Sequence, residues 1–450
     1  MTEDQFPQAF IKREQVDLGN QWSDFVLAHQ QPSPISIRYN PNKSSEAIQL
    51  PVPWTRHGSY LNERPSFTLD PTFHAGKYYV QEASSMFLEQ AFTQLTDQHS
   101  PLNVLDLCAA PGGKSTHLLS LMNDNSLLVS NEVILSRAAI LSENIQKWGH
   151  CNVVVTNNDP KDFQRLTGFF DVIVVDAPCS GEGLFRKDPH AAKEWSEDSV
   201  TLCSKRQRRI LNDVWPALKT GGILIYSTCT YSTLENEENL NWLHHEYEVE
   251  SLSLNTTEQW GLEAVTYNTL SGYRFFPHRV KGEGFFLAAV RKVNQQSQSR
   301  LTTKNTFSTP SKKVKDQLED WIVRPDEKTF INRNESLQFF PKNKTQEIEF
   351  LARNLRIVLA GTYLATAKHD KLIPEHGLAL SIEINRDFFN TIALEREEAL
   401  QYLRKDILPF AGTKKGFALI TFQTIPLGWV NVLDNRLNNL YPSEWRIRMR

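Results

Sequence analysis

Val104-Leu105-Asp106-Leu107-Cys108-Ala109-Ala110-Pro111-Gly112-Gly113-Lys114 is the stretch whose reading decides the fold. Its apolar start reads as a buried strand that ends in an acid. A tight turn of small residues follows, and then a helix that opens near Ser115 and carries Leu118, Leu119 and Met122. Strand, glycine turn and helix N-terminus together are how an open parallel sheet presents backbone N–H groups to a negatively charged group.

Two common nucleotide readings fail here. A Walker A loop needs a glycine five positions before Gly113, and Cys108 stands there. The G-x-G-x-x-G fingerprint is absent, because Pro111 interrupts the turn. What remains is a βα turn suited to a smaller group, such as the carboxylate of S-adenosylmethionine, or else a structural turn with no ligand.

Outward from this turn, strands and helices alternate from Tyr78 to Lys292 in the manner of a doubly wound sheet. Met86–Leu95 reads as a helix before the first strand. The second strand, Leu127–Ser130, ends at Asn131-Glu132. A helix from a Ser136 cap towards Gly149 carries Ala139, Leu141, Ile145 and Trp148. The strands Val153–Val155 and Asp171–Val175 end at Asn158-Asp159 and Asp176-Ala177-Pro178-Cys179. A long helix from about Val200 to Leu218 and a Gly221-Gly222 turn lead to Ile223–Tyr226, which ends at Ser227-Thr228-Cys229. Ser232 with Glu235 reads as a capping box for one more helix, and Gly284–Val290 as the strand that closes the sheet.

Ligands of such a sheet bind outside the carboxyl ends of its strands. Asp106, Glu132, Asp159, Asp176 and the pair Cys179 and Cys229 all fall on that edge. Acids are seldom buried without partners, so core packing does not call for this clustering, although each acid alone reads equally well as a strand-end cap. Glu132 is placed to accept from a ribose diol and Asp159 from an adenine amino group. The cysteines narrow the chemistry. Carbon 5 of cytosine is not nucleophilic until a thiolate adds to carbon 6, which requires a cysteine whose thiolate is favoured. Cys179 and Cys229 are both candidates on the residues alone; Cys108, Cys151 and Cys203 read as structural.

Asp106-Leu-Cys-Ala-Ala-Pro-Gly-Gly-Lys-Ser-Thr116, Asp176-Ala-Pro-Cys-Ser-Gly-Glu-Gly-Leu-Phe-Arg-Lys-Asp-Pro189 and Tyr226-Ser-Thr-Cys-Thr-Tyr231 resemble the motifs of the Nol/Nop/Sun family of RNA cytosine-5 methyltransferases. Within that family the chain is most similar to the bacterial ribosomal RNA small subunit methyltransferase F type. Gly76–Ser85 resembles the segment that precedes the first strand there, and Pro426–Trp429 and Asn438–Pro442 resemble the C-terminal RNA-binding domain. The resemblance implies an α/β chain: a Rossmann-like class I methyltransferase sheet with a small N-terminal module and a C-terminal β-rich, PUA-like domain. It implies a module over 1–90, the methyltransferase domain over 91–292, a linker over 293–316 and the RNA-binding domain over 317–450. It implies S-adenosyl-L-methionine as cofactor, with contacts from Cys108, Ala109, Ala110, Pro111, Gly112, Gly113, Lys114, Glu132, Asp159 and Asp176. It makes Cys229 the nucleophile, Cys179 the residue that helps break the adduct, and Asp176 the group that holds the cytosine edge. Ribosomal RNA, free or in the small subunit, is the expected partner; transfer RNA, or a non-catalytic role in ribosome assembly, is the alternative.

Composition fits this reading. A length of 450 residues allows two or three domains. No apolar run is long enough for a membrane span, and no apolar signal segment opens the chain. Five scattered cysteines with no C-x-x-C pair argue against a disulfide framework or a metal site, and a reducing cytoplasm and a monomer are expected. The net charge of −3 gives no global basic signature, so phosphate contacts must come from local runs. Arg186 and Lys187, then Lys205–Arg209, are the candidates for these, with Arg436, Arg446, Arg448 and Arg450 a further basic cluster. The first ninety residues read as irregular apart from a strand at Ile35–Tyr39. Leu378–Ile384 and Phe417–Phe422 read as strands, and no internal repeat is found.

Overall fold

The computed structural model describes residues 1–299, 306–333, 335–368, 371–409 and 414–449, so Arg450 and part of the expected linker lie outside the described residues. A ten-stranded mixed sheet organises the chain. Its strands, numbered along the sequence, are β1 (Asn103–Asp106), β2 (Leu127–Asn131), β3 (Val153–Thr156), β4 (Phe170–Asp176), β5 (Leu218–Thr228), β6 (Val249–Leu252), β7 (Glu263–Tyr267), β8 (Leu270–Phe275), β9 (Phe285–Lys292) and β10 (Ile357–Ala360). In space they run β7-β8-β9-β5-β4-β1-β2-β3-β10, with β6 paired to β9. The pairs among β3, β2, β1, β4 and β5 are parallel; β9 on β5 and β10 on β3 are antiparallel. Strand order reverses between β1 and β4, which opens a crevice at their carboxyl ends.

The parallel strands are apolar throughout because helices cover both faces. Val104, Val172 and Val174 pack with Leu118 of α1 (Gly113–Leu121) and Ile145 of α2 (Leu135–Trp148). Leu105, Ile173 and Val175 face the other way, onto Leu211 of α3 (Glu197–Val214) and Leu243 of α4 (Glu237–Tyr247).

Several local expectations are corrected. α1 opens at Gly113 rather than Ser115, and Met122 already lies beyond its end. α2 begins at Leu135 with no side-chain cap, and its buried face carries Ala138 while Ala139 is exposed. Gly221 and Gly222 lie within β5, where a φ of +77° at Gly221 bends the strand without ending it. β9 does not close the sheet, because β8 and β7 continue it. Residues 1–90 are ordered by two helices, Gln8–Leu18 and Trp22–His29, and a three-stranded antiparallel sheet of Gly58–Leu61, Ile35–Tyr39 and Tyr78–Val80. Their aromatics Phe6, Phe10, Trp22 and Phe25 pack on Phe185 and Trp195.

Past residue 306, the helix Lys312–Glu319 begins inside the stretch read as linker. One four-stranded sheet holds Lys328–Arg333, Ser336–Pro341, Thr362–Lys368 and Lys371–Pro374, and a second holds Asn390–Ala393, Gly416–Phe422, Ile425–Val432 and Leu437–Asn439. Leu378–Ile384 is no strand: His376–Leu380 is a short helix buried on every side, a case in which an apolar run carries no readable period.

Candidate active site

The turn after β1 is held open by α2. Arg137 donates to the Ala110 carbonyl (2.9 Å) and Asn144 to that of Pro111 (2.8 Å). Gly112 takes a φ of +115°, a conformation that glycine adopts freely, and sets the chain into α1. No side chain caps α1, so its first N–H groups have neither a carbonyl within the helix nor a capping side chain. The peptide between Ala110 and Pro111 is cis.

Beside this turn a cleft of about 470 Å³ is lined by Cys108, Ala110, Glu132, Asp176, Cys179 and Cys229, together with Asn131, Val133, Ile134, Arg137, Arg206 and Arg209. That size suits a small-molecule ligand, for which pockets of roughly 300–1,000 Å³ are usual. A larger cavity of about 600 Å³ lies elsewhere, among Asp124, His150, Lys328 and Glu383, away from every candidate residue. The structure thus brings both cysteines, Glu132 and Asp176 to one mouth.

The two sulfurs are 3.0 Å apart, and the Cys229 N–H points at the Cys179 sulfur (3.3 Å). Both side chains are partly exposed. The Cys179 thiol is pushed well up, first by its hydrogen bond to Cys229 and then by burial, which favours the proton on Cys179. Asp176 accepts from Ser227 Oγ (2.8 Å) and pairs with Lys114 Nζ (2.7 Å). Glu132 is buried; it accepts from the Ile134 N–H (2.9 Å) and lies 3.5 Å from Arg137.

Other predicted residues stand elsewhere. Lys114 spends its charge on Asp176 and, with Ala109, Pro111, Gly112 and Gly113, does not line the cleft. Asp159 caps the turn after β3 by accepting from the Lys161 N–H (3.2 Å) and pairs with Arg209 at 3.5 Å, so a strand-end cap describes it. Asp106 is fully buried; burial raises its carboxyl to about 7 and Ser115 Oγ donates to it at 2.6 Å. Arg186, expected as a phosphate contact, lies outside the cleft and is bound to Glu283 (3.0 Å) and the Gly282 carbonyl (2.6 Å). Arg206 and Arg209, from the basic run of α3, do reach the cleft.

This geometry has known relatives. The model of the 16S rRNA methyltransferase RsmB/F family matches residues 93–291. The N-terminal domain of 16S rRNA methyltransferase RsmF matches 6–83, and the methyltransferase RsmF PUA domain matches 389–447. The ribosomal RNA small subunit methyltransferase F of Escherichia coli O1:K1 is 32% identical over 465 residues, spanning 98% of this chain and 96% of that one. The chain belongs to the ribosomal RNA small subunit methyltransferase F family. It is accordingly an RNA methyltransferase. A methyltransferase homolog protein from Pyrococcus horikoshii is 30% identical with a TM-score of 0.52, covering 61% of this chain and 91% of that one. NSun6 from the same organism, solved with SFG, shares the fold at 20% identity, TM-score 0.55, covering 64% of this chain and 99% of that one.

For a chain of this family the residues that sequence reading missed are informative. Glu235, read as half of a capping box, caps nothing: α4 starts at Glu237, and the Glu235 side chain turns back under Cys179. Asn131 joins the ends of β1, β2 and β3 by donating to the Leu107 and Asn158 carbonyls (3.1 and 3.0 Å). Two polar residues, Ser130 and Asn131, at the end of an otherwise apolar strand were the sign of it. Among the described residues, no group of three or more His, Cys, Asp or Glu side chains could hold a metal ion, and no helix is long and apolar enough to cross a membrane.

Proposed function

We propose that the chain methylates carbon 5 of a cytosine in small-subunit ribosomal RNA from S-adenosyl-L-methionine, through a covalent cysteine adduct. The observation that carries this reading is the pair of sulfurs 3.0 Å apart at the mouth of the cleft. The cleft fits the cofactor: the buried Glu132 carboxylate suits a ribose diol, and Val133, Ile134 and Pro160 give an apolar wall for a base.

Cys229 adds as thiolate to carbon 6, and the ring electrons move to carbon 5. Asp176 faces the ring edge and favours its protonation as the thiolate adds. S-adenosylmethionine, when bound beside Glu132, would supply an electrophilic methyl group to carbon 5 and leave as the neutral thioether. Carbon 5 then gives its proton to solvent, the ring double bond re-forms, Cys229 is expelled as thiolate and the ring gives up the proton it took on addition; Cys179, in contact with that sulfur, assists the expulsion. The target base must leave any stack to enter, at a cost of a few kcal/mol unless it lies in an open loop. Arg206 and Arg209 at the rim, with the C-terminal PUA domain, supply RNA contacts.

Cys229→Ala tests this directly. With ribosomal RNA and labelled cofactor, methyl transfer is expected to vanish while calorimetric cofactor binding persists. Cytosine methylation by that variant would sink the assignment.

A further inference from the structure

The cleft chemistry uses Asp176, Cys179 and Cys229, yet the most elaborate polar network near them centres on Glu235, a wholly buried carboxyl. Its oxygens accept from the Ser180 N–H (3.0 Å), the Ser180 hydroxyl and Gln207 Nε2 (2.8 Å). Gln207 also donates to the Pro178 carbonyl at 3.0 Å, so the two side chains grip the backbone on both sides of Cys179. Ser180 Oγ meets Thr230 Oγ1 at 2.9 Å, and Thr230 follows Cys229. The β4 loop and the β5 loop are thereby tied together one residue beyond each thiol.

α3 and α4 hold the anchor fixed. Gln207 lies on α3, with its Oε1 accepting from Asn239 of α4 (2.7 Å), and Tyr226 Oη donates to the Glu235 carbonyl at 2.6 Å. Gln207, Glu235 and Asn239 are all fully buried. Burying a carboxyl is costly unless donors surround it, so this arrangement calls for a reason beyond packing. No cap explains it either, since Glu235 lies outside α4.

We propose that Glu235 is a positioning residue for the reaction: through Ser180 it fixes Cys179 against Cys229, and so governs release of the covalent adduct. This rests on the reading of Cys229 as nucleophile and Cys179 as the releasing residue. The grip is on the Cys179 loop, with Thr230 only the far end of the strap. Loss of Glu235 therefore displaces Cys179 first, and leaves Cys229 able to attack.

The test compares Glu235→Ala, Glu235→Gln and Ser180→Ala with Cys179→Ala and Cys229→Ala, using ribosomal RNA and S-adenosylmethionine. In Glu235→Ala, kcat is expected to fall by about 10²-fold, the penalty of a roughly 1 Å misplacement. The KM for cofactor stays unchanged. A slow-migrating protein–RNA adduct accumulates on denaturing gels, as in Cys179→Ala. Glu235→Gln, which keeps an oxygen for the Ser180 N–H, restores turnover and clears the adduct; Ser180→Ala falls between. A merely structural role would lower activity without trapping adduct, and that result, or wild-type turnover by Glu235→Ala, overturns the inference. Should Cys229→Ala itself still methylate or trap RNA, it is the nucleophile assignment that fails.

Discussion

At the scale of single residues, the site is an exercise in assigning charges to partners. Lys114 follows the glycine turn and was expected among the cofactor contacts, but its ammonium lies 2.7 Å from Asp176 and 5.2 Å from the Phe285 ring centre. It is buried, whereas the Asp176 side chain is 38% exposed. One carboxylate oxygen is thus pinned by Lys114 and the other by Ser227, which fixes the plane that Asp176 offers to a base. Lys114→Met removes a charge-assisted bond of about 1.5–3 kcal/mol. If that bond orients Asp176 in the transition state, kcat falls about 10- to 100-fold. The KM for cofactor should barely move, since Lys114 does not line the cleft. Steady-state kinetics with separate RNA and cofactor titrations checks this; a change confined to cofactor KM would show that Lys114 serves the cofactor instead.

At the scale of elements, the parallel strands were legible because each is buried on both faces, so Val153-Val154-Val155 and Val172–Val175 stand out as unbroken apolar runs. The thiols were legible because each follows the end of a strand. What stayed hidden were pairings set by distant chain. β10, Ile357–Ala360, is four residues long and gives no local sign that it will join β3 some two hundred residues earlier. Glu235 was misread because Ser-x-x-Glu describes a cap only when a helix begins there. Asn158 shows what β10 does for the site. Its side chain donates to the Arg356 carbonyl (3.1 Å) and accepts from the Arg356 N–H (3.0 Å), while its backbone N–H donates to Asn131 Oδ1 (3.0 Å). Asn131 in turn lines the cleft. Arg356, the residue that leads into this strand from the C-terminal half, therefore steadies a wall of the cleft. Asn158→Ala leaves two backbone groups of Arg356 without that partner, at about 1–3 kcal/mol. We expect a lower melting temperature and weaker cofactor binding by calorimetry; unchanged affinity would mean that β10 props the sheet edge and not the cleft.

At the scale of the whole molecule, the parts are joined by buried polar groups as well as by β10. Lys43 of the N-terminal region donates to the carbonyls of Ala75 (2.9 Å), Lys147 (2.6 Å) and Leu380 (2.6 Å), and so ties together the N-terminal module, α2 and the C-terminal half. His376 sits at the same junction, edge-on to Tyr441 (5.0 Å) and Trp445 (4.9 Å), with neither ring nitrogen partnered among the described residues. Burial, and then the charges of Lys147 and Lys43, lower its pKa to about 3. The sign follows from linkage: below about pH 6.5 the unfolded chain takes up a proton that the folded junction refuses until about pH 3. The contribution of His376 to stability is therefore complete above about pH 6.5 and is lost as the pH falls through that window. His376→Phe cannot take up that proton, and it removes two unsatisfied nitrogens from the interior. Its stability at neutral pH should match or exceed that of the parent. Urea unfolding between about pH 4 and 7 should show a dependence shallower by up to about 1.4 kcal/mol per pH unit. Parallel curves for parent and variant would mean that the imidazole is already charged in the fold, with Tyr441 or a bound water as its partner.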